Sequence, residues 1–280
     1  MKPCISQVTT LSTSLEADFI AYGRAGFKAV ELWLTKVETY LETNPLAKIR
    51  DQLDANGLTA VAAASQGGLL LSTGLERTTH FSHFLRRLAI LKSLSVPTLI
   101  MVADFHRELA ANDFATAAAS LAEAAAIAED HGVRLALEFR KNATFCASLD
   151  TTLALIAGSG SANIGVCFDL FHYYTGPSKF EDLEYLVPEN LAWVQLCDLS
   201  GTPRELAGDA DRVLPGDGDF QTTAILEKLA SIGYDGYASL ELLNPGLWAI
   251  PADKVADMGY QAMVRALGKY NTAGDPWGGS

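Results

Sequence analysis

Eight short apolar runs, each followed by a longer stretch with helical spacing, restrict this chain more than any other feature of its 280 residues. The runs lie at 3–9, 27–33, 58–64, 97–102, 134–139, 163–169, 191–197 and 237–242. Most are nearly continuous in apolar residues, the pattern of a strand buried on both faces. The stretches between them carry helix start and stop signals. Residues 14–25 open on a Ser cap and stop at Gly26, and residues 45–56 begin with Pro45 and end at Gly57. Residues 110–130 are rich in Ala and close at Gly132. Between 77 and 94, Phe81, Phe84, Leu85, Leu88 and Leu91 share one face. Segments 150–157, 181–186, 222–232 and 252–267 complete the helical set.

A repeat of about 35 residues taken eight times predicts an α/β chain folded as one (β/α)8 barrel. An open doubly wound sheet rarely needs eight units, and no G-x-G-x-x-G follows the first run to mark a dinucleotide site. No Ser/Gly-rich linker divides the chain. The expected organisation is a barrel over residues 1–270 and a flexible C-terminal tail at 271–280.

Hydrophobic residues make up 49% of the chain and charged residues 19%, enough apolar material for a closed core. The formal net charge of −12 argues against a nucleic-acid partner, which needs a basic face. No apolar run reaches the ~18 residues of a membrane span, and the first residues lack a secretory apolar segment. Cys4, Cys146, Cys167 and Cys197 have no paired metal-type spacing and read as buried free thiols. These features together lead to the expectation of a cytoplasmic protein.

In a barrel of this kind, chemistry sits at the C-terminal ends of the strands. The fifth run ends LALEFR with Glu138, and the sixth ends GVCFDLFH with Asp169 and His172. The seventh, WVQLCD, carries Gln195 and Asp198, and the eighth, ASLELLN, carries Glu241 and Asn244. Four consecutive strands each place an oxygen-bearing side chain in an apolar run. A single such residue is more often a cap or an Arg partner than a ligand. Four in succession favour a shared partner, and a divalent cation offsets both their desolvation and their mutual repulsion.

These motifs, with GFKAVELW at the second strand, RVLPGDGDF and GYDGYASLELL, resemble the xylose isomerase-like TIM-barrel family of sugar isomerases, epimerases and related dehydratases. The resemblance implies metal binding by Glu138, Asp169, Gln195 and Glu241, with substrate contacts from His172 and from Arg212 of R-x-x-P-G. Many epimerases of the family have His where this chain has Gln195. An amide oxygen there would keep the ligand shell hard, favouring Mn2+ or Mg2+, with Co2+ as a third choice.

The activity so implied is a divalent-metal-dependent isomerase or epimerase acting on a keto sugar or keto-polyol. Proton transfer would pass through a metal-stabilised enediolate, with Glu138 and Glu241 as the catalytic pair. The alternative is a lyase that eliminates a β-leaving group from a keto-polyol of inosose or 3-dehydroshikimate type, since the first half of the reaction is shared. A nuclease on the same barrel would need more His ligands than the five present and a basic groove. Trp33, which ends strand two, and Gln66 and His106, which follow strands three and four, are further candidates for substrate binding. Arg140 is a candidate for reaching substrate or balancing the carboxylates. His80 and His83 read as a solvated helix face, Asp198 as a loop stabiliser, and Pro215–Asp219 as a glycine-dependent turn. The expected partner is a small carbohydrate, and homo-oligomers are common among such barrels.

Overall fold

The apolar runs become eight parallel strands: β1 (Lys2–Ser6), β2 (Ala29–Trp33), β3 (Thr59–Gln66), β4 (Thr98–Val102), β5 (Arg134–Glu138), β6 (Ile164–Asp169), β7 (Leu191–Leu196) and β8 (Tyr237–Leu240). They close into a barrel in chain order, with β8 hydrogen-bonded to β1. This computed structural model describes residues 1–270, and the expected flexible tail at 271–280 lies outside the described residues. No helix among the described residues is long and apolar enough to cross a membrane.

Near-continuous apolar runs arise because each strand serves two cores. The outward residues Val30 and Leu32, Leu135 and Leu137, Val166 and Phe168, and Val194 and Leu196 pack against the helical layer. Each fully buried Leu or Phe side chain contributes about 1.5–3 kcal/mol. The inward residues begin with a small interior cluster that includes Cys4, Ala29, Ala136, Cys167 and Trp193. Two residues further along each of those strands the row turns polar, at Ser6, Glu31, Glu138, Asp169 and Gln195, all buried. The period of two thus stacks a polar layer directly on an apolar plug, at the C-terminal end of the barrel.

Local signals set the helix ends. Helix Leu15–Ala25 starts where the Ser14 hydroxyl accepts a hydrogen bond from Ala17 N and stops at Gly26, whose φ of 110° few other residues adopt. Helix Ala252–Leu267 has the predicted bounds. Several elements differ from the sequence expectation. The first run leaves the sheet after Ser6, and Gln7–Thr10 form a 3-10 turn. There Gln7 accepts from Trp33 N and donates to Asp18, so its side chain ties two elements together. An unpredicted helix, Leu34–Leu41, follows β2, and the segment at 181–186 is a 3-10 turn, Phe180–Tyr185. Directly after β6 runs the short helix Leu170–Thr175, capped by the Asp169 carboxylate, which accepts from His172 N.

Strands β6 and β7, which carry Asp169 and Gln195, approach closely at Gly165. A Cβ on that residue would lie 2.8 Å from both Ala192 N and Ala192 Cβ, and 2.9 Å from the Asn190 carbonyl oxygen. The neighbours are backbone or rigidly attached, so relief requires moving a strand. Gly165→Ala is therefore expected to destabilise the fold by about 1–3 kcal/mol. Urea unfolding checks this, and an unchanged midpoint would show that the strand pair yields freely.

Candidate active site

Strand ends and the loops that follow them bring most of the predicted residues together. A cavity of about 60 Å³ at the C-terminal mouth is lined by Trp33, Glu138, Arg140, His172, Gln195, Asp209, Arg212 and Glu241, among others. Asp169 lies fully buried beneath it and is bonded to Arg212. Glu138, Asp169 and Gln195 come from the polar inward layer of β5, β6 and β7. Glu241 follows β8, its backbone N–H still donating to the Leu196 carbonyl of β7. Arg212 enters from a two-stranded antiparallel ribbon, Asp198–Leu199 with Arg212–Val213, that lies across the mouth.

Arg212 dominates the electrostatics. Its side chain is 1% exposed, and its Nη1 donates to Asp169 Oδ2 at 2.8 Å and to Glu241 Oε2 at 2.9 Å. Nη2 reaches Asp209 Oδ1 at 3.0 Å, and the guanidinium sits 4.5 Å from the centre of the Phe171 ring. Burial raises the pKa of Asp169, but Arg212, His172 and hydrogen bonds outweigh it and hold the carboxyl well below its usual range. Glu138 lacks such a direct clamp, since Arg140 comes only within 3.9 Å. Burial, reinforced by the Asp169 charge and opposed by Arg140, pushes the Glu138 carboxyl up to about 7. Burial also raises Glu241 well above the carboxylate range, although Arg212 opposes it.

His172 is buried, and neither ring nitrogen has a hydrogen-bond partner. Its Nε2 lies 3.5 Å from Glu138 Oε1. Burial, the largest influence, pushes the imidazole down to about 3. Among the described residues, Glu138, Asp169 and His172 offer ligand atoms within 4.8 Å of one another. Two desolvated carboxylates and an orphaned neutral imidazole are a donor set that fits a divalent cation. The site is therefore suited to a divalent metal.

Gln195 takes an orientation the sequence does not foretell. Its Nε2 donates to Glu241 Oε1 at 2.9 Å and to Glu31 Oε1 at 3.1 Å, while its oxygen accepts from the Cys167 thiol. It thus presents N–H, not oxygen, to Glu241. Glu31 is a buried carboxylate that the strand-end reading missed; besides Gln195 it accepts from Ser6 Oγ and Trp193 Nε1. The signal was present, since Glu31 is the one charge in the apolar run AVELW. Asp209, which braces Arg212 and lies 3.8 Å from Arg140, was also missed because it comes from a loop and not a strand.

Two candidates lie elsewhere. Gln66 is turned toward Gly67 O and Arg87 Nη1 and does not line the cavity. His106 is exposed and lines a separate cavity of about 370 Å³ with His80, Asp104 and Arg107. His106 follows the loop after β4, whereas Gln66 ends β3, whose register against β4 shifts between Ala63 and Gln66. His80 bonds to Gly68 O and His83 to Glu38, so the two do not converge. Asp198 organises its loop by accepting from Leu199 N, Gly216 N and Phe220 N, and Gly216 has a φ of 90°.

A closed parallel barrel with an acidic cavity at its mouth defines a TIM-barrel architecture with a metal-ready site. The profile of the xylose isomerase-like TIM barrel matches residues 20–266, and the chain belongs to that family. An inosose isomerase of Bacillus velezensis is 24% identical over 96% of this chain and 98% of its own length. One from Halalkalibacterium halodurans is 25% identical over 97% of this chain and 98% of its own. The fold matches the crystal structure of an IOLI protein with a bound zinc atom at TM-score 0.90 and 22% identity, covering 97% and 100% of the two chains. It matches a D-psicose 3-epimerase at TM-score 0.77 and 19% identity, covering 95% and 98%. Such relatives place the chain among the isomerase and epimerase enzymes of the family.

The His172 environment yields a direct check. A pKa lowered to about 3 leaves the ring neutral everywhere above that pH. In metal-free protein, its ring-nitrogen NMR shifts are expected to keep the values of a neutral imidazole between pH 5 and 8, showing only the smaller perturbation from Glu138 3.5 Å away. A titration midpoint near the ordinary histidine value would contradict the burial argument.

Proposed function

We propose that this enzyme is a divalent-metal-dependent isomerase or epimerase that moves a proton at the carbon beside the carbonyl of a keto-polyol of inosose type. The observation that carries the reading is the pairing of two buried, proton-hungry carboxyls, Glu138 and Glu241, at one cavity with a neutral His172. The relatives' activity toward inososes supports the substrate class. Glu138, Asp169 and Glu241 would hold the cation through carboxylate oxygens, with His172 as a nitrogen donor in the same cluster. Gln195 would join through its oxygen only after its amide turns over. A bound divalent cation polarises the substrate carbonyl and acidifies the adjacent C–H.

The chain's own groups then divide the work. Glu138 lacks a hydrogen-bonded cationic partner, with Arg140 no closer than 3.9 Å, which leaves an oxygen free to accept and release a proton. Glu241 reaches the cavity from a different stave, so one carboxyl can take the proton and the other return it. His172 can donate to or accept from a substrate hydroxyl without changing charge. Arg140, at the rim, and Arg212, deeper in, supply positive charge where the substrate oxygens gather. Trp33 forms an apolar wall against which a polyol ring can rest.

The test is NMR in D2O with Mn2+- or Zn2+-loaded protein and an inosose. Deuterium is expected at the carbon next to the carbonyl, together with an isomerised product. Glu138→Gln and Glu241→Gln are each expected to lower that exchange by about 10²–10⁴-fold. Exchange at the normal rate in both variants would rule out the two-carboxyl role, and loss of water from the product would replace isomerisation with elimination.

A further inference from the structure

We propose that Arg212 is a built-in counter-cation of the site, seated between Asp169 and Glu241 so that it and a divalent ion compete for the same two carboxylates. The competition rests on the metal reading above, whereas the arginine clamp itself does not.

The geometry singles out this arginine. One nitrogen, Nη1, contacts both carboxylates, at 2.8 Å and 2.9 Å. A guanidinium recognising one carboxylate usually spends two N–H groups on it side by side. Here one nitrogen bridges the carboxylates of β6 and of the segment after β8, the role a small cation plays. The remaining groups are arranged to keep it there. Nη2 is held by Asp209, the ring of Phe171 lies against the guanidinium, and Asn244 Nδ2 donates to the Arg212 carbonyl oxygen. The Nε of Arg212, in contrast, is buried with no partner.

Other charges point the same way. Without Arg212, the ionised Asp169 would lie unpaired against the Glu241 carboxyl, because Arg140, the other arginine lining the cavity, pairs with Glu138 and Asp209. Breaking a buried ion pair by removing one partner leaves uncompensated charge and is strongly destabilising. The barrel therefore closes around its acidic layer without waiting for metal, and the metal must displace or share an internal competitor. This sets the cation affinity below what the ligand set alone would give.

The experiment compares thermal unfolding of wild type, Arg212→Met, Arg212→Lys and the double variant Arg212→Met/Glu241→Gln, in EDTA and across a Mn2+ titration. In EDTA, Arg212→Met is expected to melt about 10 °C lower than wild type. Arg212→Lys, and the double variant with one carboxylate neutralised, are expected to recover part of the loss. Mn2+ should raise the melting temperature of Arg212→Met more than that of wild type, with at least tenfold tighter binding by calorimetry. An Arg212→Met protein as stable as wild type in EDTA overturns the clamp. If Arg212→Met does not fold and Glu241→Gln fails to rescue it, the clamp is likewise overturned. Equal Mn2+ affinity in wild type and Arg212→Met overturns the competition. No Mn2+ response in any of the four proteins overturns both the competition and the metal reading, while the EDTA comparison still judges the clamp.

Discussion

Charge balance inside the barrel mouth is the constraint on which the rest of this structure depends. Glu31, Glu138 and Asp169 are buried within one polar layer, and Glu241 is buried just beyond it, after β8. Isolated carboxylates there would be prohibitively costly, and adjacent ones would repel. The chain answers with one embedded guanidinium, two N–H groups of a single amide, an indole N–H and a hydroxyl. Each carboxylate receives a different treatment, and their proton affinities separate accordingly. Asp169, clamped by Arg212, stays ionised, whereas Glu138, only loosely attended, titrates near neutrality. That separation is what lets neighbouring groups of one chemical type play different parts.

The barrel makes such a layer possible because its interior is stacked by strand periodicity. On β5 the inward row runs Ala136 then Glu138, on β6 Cys167 then Asp169, and on β7 Trp193 then Gln195. The apolar step seals the barrel below and lowers the local polarity. The polar step two residues later opens toward the loops. Glu31 and Gln195 connect the layers: Trp193 Nε1 anchors Glu31, Glu31 orients Gln195, and Gln195 reaches Glu241. A residue in the seal thereby helps position a residue at the cavity.

Much of this was legible in the sequence. Near-continuous apolar runs at a regular repeat announced the parallel barrel, and polar residues ending four consecutive runs located Glu138, Asp169, Gln195 and Glu241. His172 and Arg212 came from the motifs around them, and the cavity contains both. Glu31 escaped because attention fell on strand ends, although it breaks its apolar run in the same way. His106 misled because it lies beyond the end of β4 and follows its loop to a neighbouring cavity, and Gln66 because the register of β3 against β4 shifts between Ala63 and Gln66, where its side chain meets Arg87. Asp209 belongs to a short 3-10 turn with no apolar frame to mark it. The direction of the Gln195 amide is set by partners from β2, β6 and the segment after β8, and no local pattern encodes it.

The account turns on whether this acidic layer gathers around one divalent cation. Anomalous diffraction from crystals soaked in Mn2+ locates such an ion without reference to any substrate. One strong peak is predicted within coordinating distance of Glu138, Asp169 and Glu241, accompanied by displacement of Arg212 Nη1 from the Asp169–Glu241 bridge. A map with no peak at the barrel mouth, or with manganese bound only at surface carboxylates, would contradict it.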